Sequence, residues 1–470
     1  MVYQKAIVCC ETDYEAIDME QYMYSSLNTP DAPEKWITNV DLFVSNGLTK
    51  YAKEMYITLS TDIGVLYFID ELFEKLHVNS ANWTQVTQLD FRICNVTADD
   101  DESHEQTASD LALVFSQYFS GVRQLRCEAQ KGDHLSTAFT NTLVGCYTND
   151  ITNYSTTFST PTTCPVFGKQ LTHLEILQCC NAAKELIYIH ASTIRHLTLN
   201  QLTYDFELVN YKTGSSPSKE ITFENLETWC LSYIKPASFS LEERQEFLSQ
   251  QTRCKVVAPK LRNLAISDYL SVFPLKFVSS TFRLASCRIL CSTLAAQLFT
   301  EVKFPNLKDL ILTLYKEKSA HGDDGPDIVA TVNNIVDTAR PSNSCTIFLE
   351  SSITDIDPTN MKWSRITQLS INASITFGDM IKILDRTPNA TIIAFHSLNI
   401  NGEEAIDFVE KHRKANGAQQ HCIMPLHFKV KSIRINVEKK GCPPGHAQAM
   451  KECISQCFPS HKIFEYFISS

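Results

Sequence analysis

Apolar residues recur along this chain in one phrase, L-x-x-L-x-L, whose intervening positions are mostly polar. The fullest copy is Phe304-Pro305-Asn306-Leu307-Lys308-Asp309-Leu310-Ile311-Leu312. Others lie at Leu171/Leu174/Ile176, Ile194/Leu197/Leu199, Leu226/Trp229/Leu231, Leu261/Leu264/Ile266 and Ile366/Leu369/Ile371. The alternation at the end of each phrase has the period of two of a strand with one buried face. Between copies the apolar spacing turns helical. Ile63, Leu66, Ile69, Leu72 and Phe73 predict a helix over Asp62 to Leu76, and Leu111, Leu113, Val114, Tyr118 and Phe119 supply the apolar residues of another over about Ser109 to Phe119. Helices are also expected over Asp327 to Ala339, Gly378 to Arg386 and Glu403 to Lys414, each stopping near a breaker. Thr152 to Pro165, rich in Thr and Ser, reads as a loop.

The middle apolar residues of the phrases fall at positions 55, 89, 125, 174, 197, 229, 264, 310, 369 and 433. Two of the wider gaps hold further strand-like runs, Thr346–Leu349 and Thr391–Phe395. A strand phrase of this form, followed by a returning segment, is that of a leucine-rich repeat, whose regular versions run about 20 to 29 residues. The spacing here is longer and irregular. The expected fold is therefore α/β: an irregular leucine-rich-repeat-like solenoid, a horseshoe with a parallel sheet on its concave face and helices and loops on its convex face. No Pro- or Gly-rich linker interrupts the pattern, so residues 1–470 are expected to form one continuous array, with the repeats over 51–440 and a cap over 441–470.

Composition narrows the function more than it specifies it. Of 470 residues, 44% are hydrophobic and 20% charged, ordinary for a folded domain. A formal net charge of -11 lacks the basic footprint of a nucleic-acid binder, so no nucleic-acid partner is expected. No apolar run approaches the roughly 20 residues that span a bilayer, so no membrane partner is expected either. The 17 cysteines show no framework spacing, and Met1–Glu15 has no basic segment leading into an apolar one. These features predict reduced thiols and a cytoplasmic or nuclear location.

In each strand phrase the residues flanking the last apolar pair point away from the core, because strand side chains alternate. Glu54, Tyr56 and Thr58 begin this stripe. Gln88, Asp90, Arg92, Gln124, Arg126, Glu128, His173, Glu175, His196, Thr198 and Asn200 continue it, and are the candidate protein-binding residues of the concave face. Beyond them come Thr228, Cys230 and Ser232, Asn263, Ala265 and Ser267, Asp309, Ile311 and Thr313, then Gln368, Ser370 and Asn372. The first half of the stripe carries charges of both signs, and the second is mostly small and uncharged. A binding groove and a plain half-exposed sheet both fit this alternation.

Candidate chemistry is sparse, and no catalytic residue is assigned. Cys442, His446, Cys453, Cys457 and His461 are zinc-compatible ligand types. Met450, Cys453, Ile454 and Cys457 equally make the core stripe of an amphipathic helix, and no metal or other cofactor is assigned. Cys287 and Cys291 read as buried thiols. The chain has no G-x-S-x-G elbow and no Cys–His signature. Gly214–Ser218 and His321–Pro326 are turn or loop segments first.

Ile221-Thr222-Phe223-Glu224-Asn225-Leu226-Glu227-Thr228-Trp229 and Lys303-Phe304-Pro305-Asn306-Leu307-Lys308-Asp309-Leu310, with the earlier Trp36–Phe43 and Ala52–Met55, resemble the fungal F-box/leucine-rich-repeat-like proteins. The resemblance is loose and spans most of the chain. It implies a non-catalytic interaction module: the substrate-binding repeats of a receptor for an SCF-type ubiquitin ligase, or a remnant without the F-box. Met1–Val8 reads as the strand that follows an F-box, so 1–50 is expected to be a post-F-box-like segment. The ligase adaptor is then a partner only if an F-box lies upstream. A standalone scaffold, a truncated non-functional copy, and a zinc protein or enzyme built on the C-terminal Cys/His group are the alternatives.

Overall fold

The computed structural model describes residues 5–11, 25–26, 35–60, 65–77, 81–94, 105–128, 134–157, 166–178, 181–202, 212–213, 216–217, 220–233, 255–267, 283–292, 304–315, 327–350, 356–399, 406–411, 414, 427, 429–438, 446–456 and 458–469. The chain is a mixed α/β protein that divides into two compact units, Met1–Ser232 with Val256–Pro259, and Tyr233–Lys255 with Lys260–Ser470.

In the first unit β1 (Lys5–Glu11) pairs antiparallel with β2 (Lys35–Thr38) and parallel with β3 (Glu54–Ser60). From β3 the strands follow one another in sequence and all run parallel: β4 (Gln88–Cys94), β5 (Gln124–Glu128), β6 (Asn153–Thr157), β7 (His173–Gln178) and β8 (His196–Leu202). β9 (Thr228–Tyr233) pairs with β8. The register holds without a shift until Thr156, where β6 and β7 slip by one residue, so the phrase's middle residues form one buried row, Met55, Leu89, Leu125, Tyr154, Leu174 and Leu197. Ile57, Phe91, Cys127, Thr156, Ile176 and Leu199 form the next.

The polar residue ahead of each strand sets that register. Thr87 and Gln88 both donate their backbone N–H to the Lys53 carbonyl, at 2.9 and 3.0 Å, and Arg123 and Gln124 do the same to Thr87 at 2.9 and 2.9 Å. Thr152/Asn153 on Arg123, Thr172/His173 on Thr152, Arg195/His196 on Thr172 and Glu227/Thr228 on Arg195 continue the pattern. Each carbonyl uses both lone pairs, so the turn entering every strand is stitched to the turn before it. The lead-in is a tight turn closed on a buried aromatic, as in Val86 N–H to Trp83 O (2.9 Å) and Val122 N–H to Phe119 O (3.2 Å). At one such turn a Cβ on Gly121 would lie 2.2 Å from the Thr84 carbonyl, so only glycine fits between these two passes of the chain.

Helices α1 (Val40–Ser45), α2 (Val65–Lys75), α3 (Glu105–Tyr118), α4 (His134–Tyr147) and α5 (Asn181–His190) return the chain between strands. The core over β4 is aromatic. Phe91 lies 5.1 Å from Phe139 and 5.6 Å from Phe115, and Phe115 lies 4.7 Å from Phe119.

The second unit repeats the scheme with β10 (Asn263–Ser267), β11 (Ser286–Ser292), β12 (Asp309–Tyr315), β13 (Ser344–Leu349), β14 (Gln368–Thr376), β15 (Ile392–Asn399), β16 (Ser432–Glu438) and β17 (Ile463–Ser469), parallel and in sequence order. The same paired donation recurs, from Lys308/Asp309 onto Ala285 and from Lys431/Ser432 onto Thr391. Helices α6 (Ile328–Ala339), α7 (Phe377–Arg386) and α8 (His446–Gln456) lie between strands. α6 is started by Asp327, whose side chain accepts from Val329 N at 2.8 Å, and stopped at Arg340 in the left-handed region. Residues 406–411 are helical within the expected Glu403–Lys414 segment.

Two expectations need correction, and one strand was not foreseen. Thr152–Pro165 is not all loop, because Asn153–Thr157 is β6. Its phrase is Ile151/Tyr154/Thr156, with Tyr and Thr in place of leucines, yet these are 0, 5 and 5% exposed. The helix expected from Ser109 begins at Glu105 and buries Ala108, Ala112 and Phe115, leaving Leu113 and Val114 exposed. The gap from 264 to 310 also holds a strand, β11, entered through Leu284/Cys287/Ile289, where a buried cysteine takes the place of leucine.

Candidate interaction groove

Between the inward-facing apolar rows, β3 to β8 turn their other side chains to one common face. A groove of about 530 Å³ lies on it, lined by residues of all six strands. Gln88, Asp90, Arg92, Gln124, Arg126, His173, Glu175, His196 and Thr198, all expected from the alternation, line it together with Tyr56. Glu128 and Asn200 stand outside the lining but anchor residues within it. Asn153 and Ser155 line it too and were missed, because the polar composition of Thr152–Pro165 masks the β6 phrase. The available signal was the spacing of Ile151, Tyr154 and Thr156.

The register arranges the charges in a checkerboard. Asp90 and Arg92 on β4 lie opposite Arg126 and Glu128 on β5. Within β4, Arg92 donates from Nε to Asp90 Oδ1 at 2.7 Å and from its terminal nitrogen to Oδ2 at 2.8 Å. Within β5, Arg126 donates from Nε and from one terminal nitrogen to Glu128 Oε1, at 2.8 and 2.6 Å. Asp90 is only 6% exposed, so its pairing matters: a buried carboxylate without its cation would be costly. At the near edge, Lys5 Nζ is 3.2 Å from Glu54, the Tyr56 hydroxyl donates to Glu54 at 3.0 Å, and Gln88 donates to Tyr56 at 3.3 Å. The hydrogen bond to Glu54 holds the Lys5 ammonium above its usual range, and burial, then Glu54, raises the Tyr56 phenol.

The far end is different in kind. His173 and His196 face one another in register, their rings stacked at 4.1 Å and 12°. Burial, reinforced by His196 and Arg195, lowers the His173 imidazole below its usual range and favours the neutral ring. Thr172 Oγ1 lies 2.9 Å from His173 Nδ1. Glu175, two residues further along the same face, accepts from Ser155 Oγ at 2.9 Å and from Asn200 Nδ2 at 3.4 Å. The resulting surface is a hydrogen-bonded platform rather than a set of loose side chains.

On the corresponding face of the second unit, Asp309 accepts from Asn343 (2.7 Å) and Ser344 (2.6 Å), Ser370 contacts His396 (3.0 Å), and Arg434 pairs with Glu465. Small polar residues dominate the rest, as expected. Phe348, Ile392, Ile463 and Phe467 also stand 39, 41, 53 and 52% exposed on the strands.

The C-terminal Cys/His group lies partly outside the described residues, which include neither Cys442 nor Cys457. Met450, Cys453 and Ile454 are buried on α8, as a core stripe requires. Among the described residues no group of three or more His, Cys, Asp or Glu is placed to hold a metal. Cys287 is fully buried, with its thiol pushed up to about 12 by burial. Residues 321–326, 214 and 215 lie outside the described residues; Lys212–Thr213 and Ser216–Pro217 pair antiparallel. Among the described residues no helix is long and apolar enough to cross a membrane. No protein-family model matches the chain, and no curated protein matches it.

Proposed function

We propose that the chain is a non-catalytic protein-interaction module and that the groove over β3 to β8 holds a segment of its partner. One observation carries this reading. Six successive strands place polar side chains around a single cavity of about 530 Å³, and those side chains are already fixed by bonds to one another. Fixed side chains lose little freedom when a ligand arrives, which favours recognition. In this proposal each unit is a stretch of irregular leucine-rich-repeat-like solenoid with its polar face concave, a surface such arrays use for binding. The resemblance to F-box proteins makes the bound segment a ligase substrate, presented in the cytoplasm or nucleus. The thiols of Cys127, Cys146, Cys287 and Cys345, unbridged among the described residues, suit such a compartment.

The test is paired affinity capture from native cells with the wild-type chain and with Gln124→Trp. Gln124 is exposed on the groove floor, so an indole there fills the cavity without disturbing the core. A protein retained by the wild type and lost from the variant supports the groove, and ligase adaptor and cullin alongside it support the receptor role. The same proteins on both chains would sink the proposal.

A further inference from the structure

The charges of the groove do not balance evenly along its length. Arg92 and Arg126 each spend their guanidinium on a carboxylate of their own strand. Glu175 differs: among the described residues its bonds come from the neutral Ser155 and Asn200, and no cation pairs with it. A carboxylate has about four lone-pair sites, so roughly two remain unused. Glu175 also sits beside a flat aromatic surface, the stacked His173/His196 pair. Because His173 lies between Asn153 and His196 in the strand register, the ring face turned from His196 looks along the row toward Asn153, and all three residues line the groove. Two residues of strand separate His173 from Glu175, roughly 6.6 Å.

We propose, resting on the groove reading above, that this end of the groove is a subsite for an arginine side chain of the bound protein segment. The guanidinium plane lies against the face of the His173 ring, and its N–H donors reach the open lone pairs of Glu175. Arginine suits this site better than lysine. A guanidinium is planar, stacks on flat rings and binds a carboxylate through two parallel donors, whereas an ammonium is a strongly hydrated point charge. The neutral state favoured for His173 removes the repulsion an imidazolium would exert.

The experiment is selection of a phage-displayed library of random dodecamer peptides on the full chain, on Glu175→Gln and on Gln124→Trp. On the wild type, arginine is expected at one peptide position with roughly tenfold preference over glutamine or lysine, the size of one good charged contact. Glu175→Gln, which keeps the side chain's volume and its bonds to Ser155 and Asn200 feasible, is expected to erase that preference while retaining the wild-type melting midpoint. Gln124→Trp is expected to lose the selected peptides altogether. Selected peptides that lack arginine, take lysine equally well, or ignore Glu175→Gln, yet are still lost from Gln124→Trp, would overturn the arginine subsite and leave the groove standing. No selection, or selection indifferent to Gln124→Trp, would overturn both.

Discussion

The two units obey the same backbone rule and write different surfaces on it. In each, the turn before a strand donates two N–H groups to the turn before that, and the apolar positions of the phrase form buried rows. On the exposed face of the first unit stand Asp90, Arg92, Arg126, Glu128, His173, Glu175 and His196. At the matching rows of the second the charges are sparser: Arg288, Asp309, Arg434 and Glu465 stand among Ser, Thr, Ala, Asn and Ile, with Phe348 and Ile392 exposed. Since both surfaces are carried by the same ladder, the ladder does not require the denser charge pattern of the first. Nor does stability: a half-buried ion pair roughly breaks even against its desolvation cost. A charged, internally bonded face denser than the ladder needs accords with the recognition role proposed for the groove.

The interior differs as well, and the largest predicted effect lies there. Over β4 the core is a cluster of phenylalanines around Phe115. Beneath α6 it is aliphatic, with Ile328, Val332, Ile335 and Val336 buried. Replacing Phe115 with alanine is expected to cost about 3–5 kcal/mol, since the ring is fully buried and its aromatic neighbours cannot collapse into the space. Leu113→Ala, one half-turn away on the same helix but 48% exposed, is expected to cost under about 0.5 kcal/mol. Urea unfolding of both variants decides this, and equal losses would mean that α3 buries the face the sequence suggested.

That helix shows where the sequence was legible and where it was not. Strands came through well, because a period of two survives almost any choice of polar residues between the leucines. The phrases centred on 55, 89, 125, 174, 197, 229, 264, 310, 369 and 433 all lie on strands. The phrase failed where its apolar slots held Tyr154/Thr156 or Cys287, residues that the core accepts as small or flat apolar surface but that a search for leucine passes over. Helices fared worse. α3 buries two alanines and one phenylalanine, so its core face is the less greasy one, and the exposed Leu113 and Val114 mislead. α4 and α5 carry apolar stripes diluted by Ser, Thr, Asn and Lys. The groove residues could be named from alternation alone, but the pairing of Arg92 with Asp90, or the stacking of His173 on His196, depends on rotamers that spacing does not encode.

A smaller effect tests the face itself. Asp90 accepts two charge-assisted bonds from Arg92 and is nearly buried, whereas Asp309 of the second unit accepts from the neutral Asn343 and Ser344. Hydrogen bonds to charged groups contribute about 1.5–3 kcal/mol, and both carboxylates accept such bonds, but only at Asp90 is the donor a cation, which Asn would leave without that carboxylate beside a nearly buried side chain. Arg92 is a third exposed, so solvent screens part of this. Asp90→Asn is therefore expected to cost about 1–2 kcal/mol, and Asp309→Asn, which keeps an acceptor oxygen, under about 0.5 kcal/mol. Equal costs in denaturant titrations would erase the distinction between the two faces.

The smallest predicted difference concerns acid. Burial holds both His190 in the first unit and His427 in the second below the ordinary imidazole value of 6.5. The unfolded chain takes up a proton near that value while the folded chain resists until lower pH. The unfolded state thus binds more protons in that window, and stability falls as pH drops below 6.5, with no such loss above it. The two rings should not respond alike. His190 Nε2 accepts the Phe167 backbone N–H at 3.1 Å, a bond that protonation breaks. His427 stacks on Phe458 and its Nε2 makes no hydrogen bond among the described residues, while nearby Asp385 partly offsets the cost of charging it. His190→Gln, which retains an acceptor but cannot titrate, is expected to flatten the decline in melting midpoint between neutral and mildly acid pH more than His427→Gln does. The reverse order would mean that burial alone, without the lost Phe167 bond, sets the acid response of the first unit.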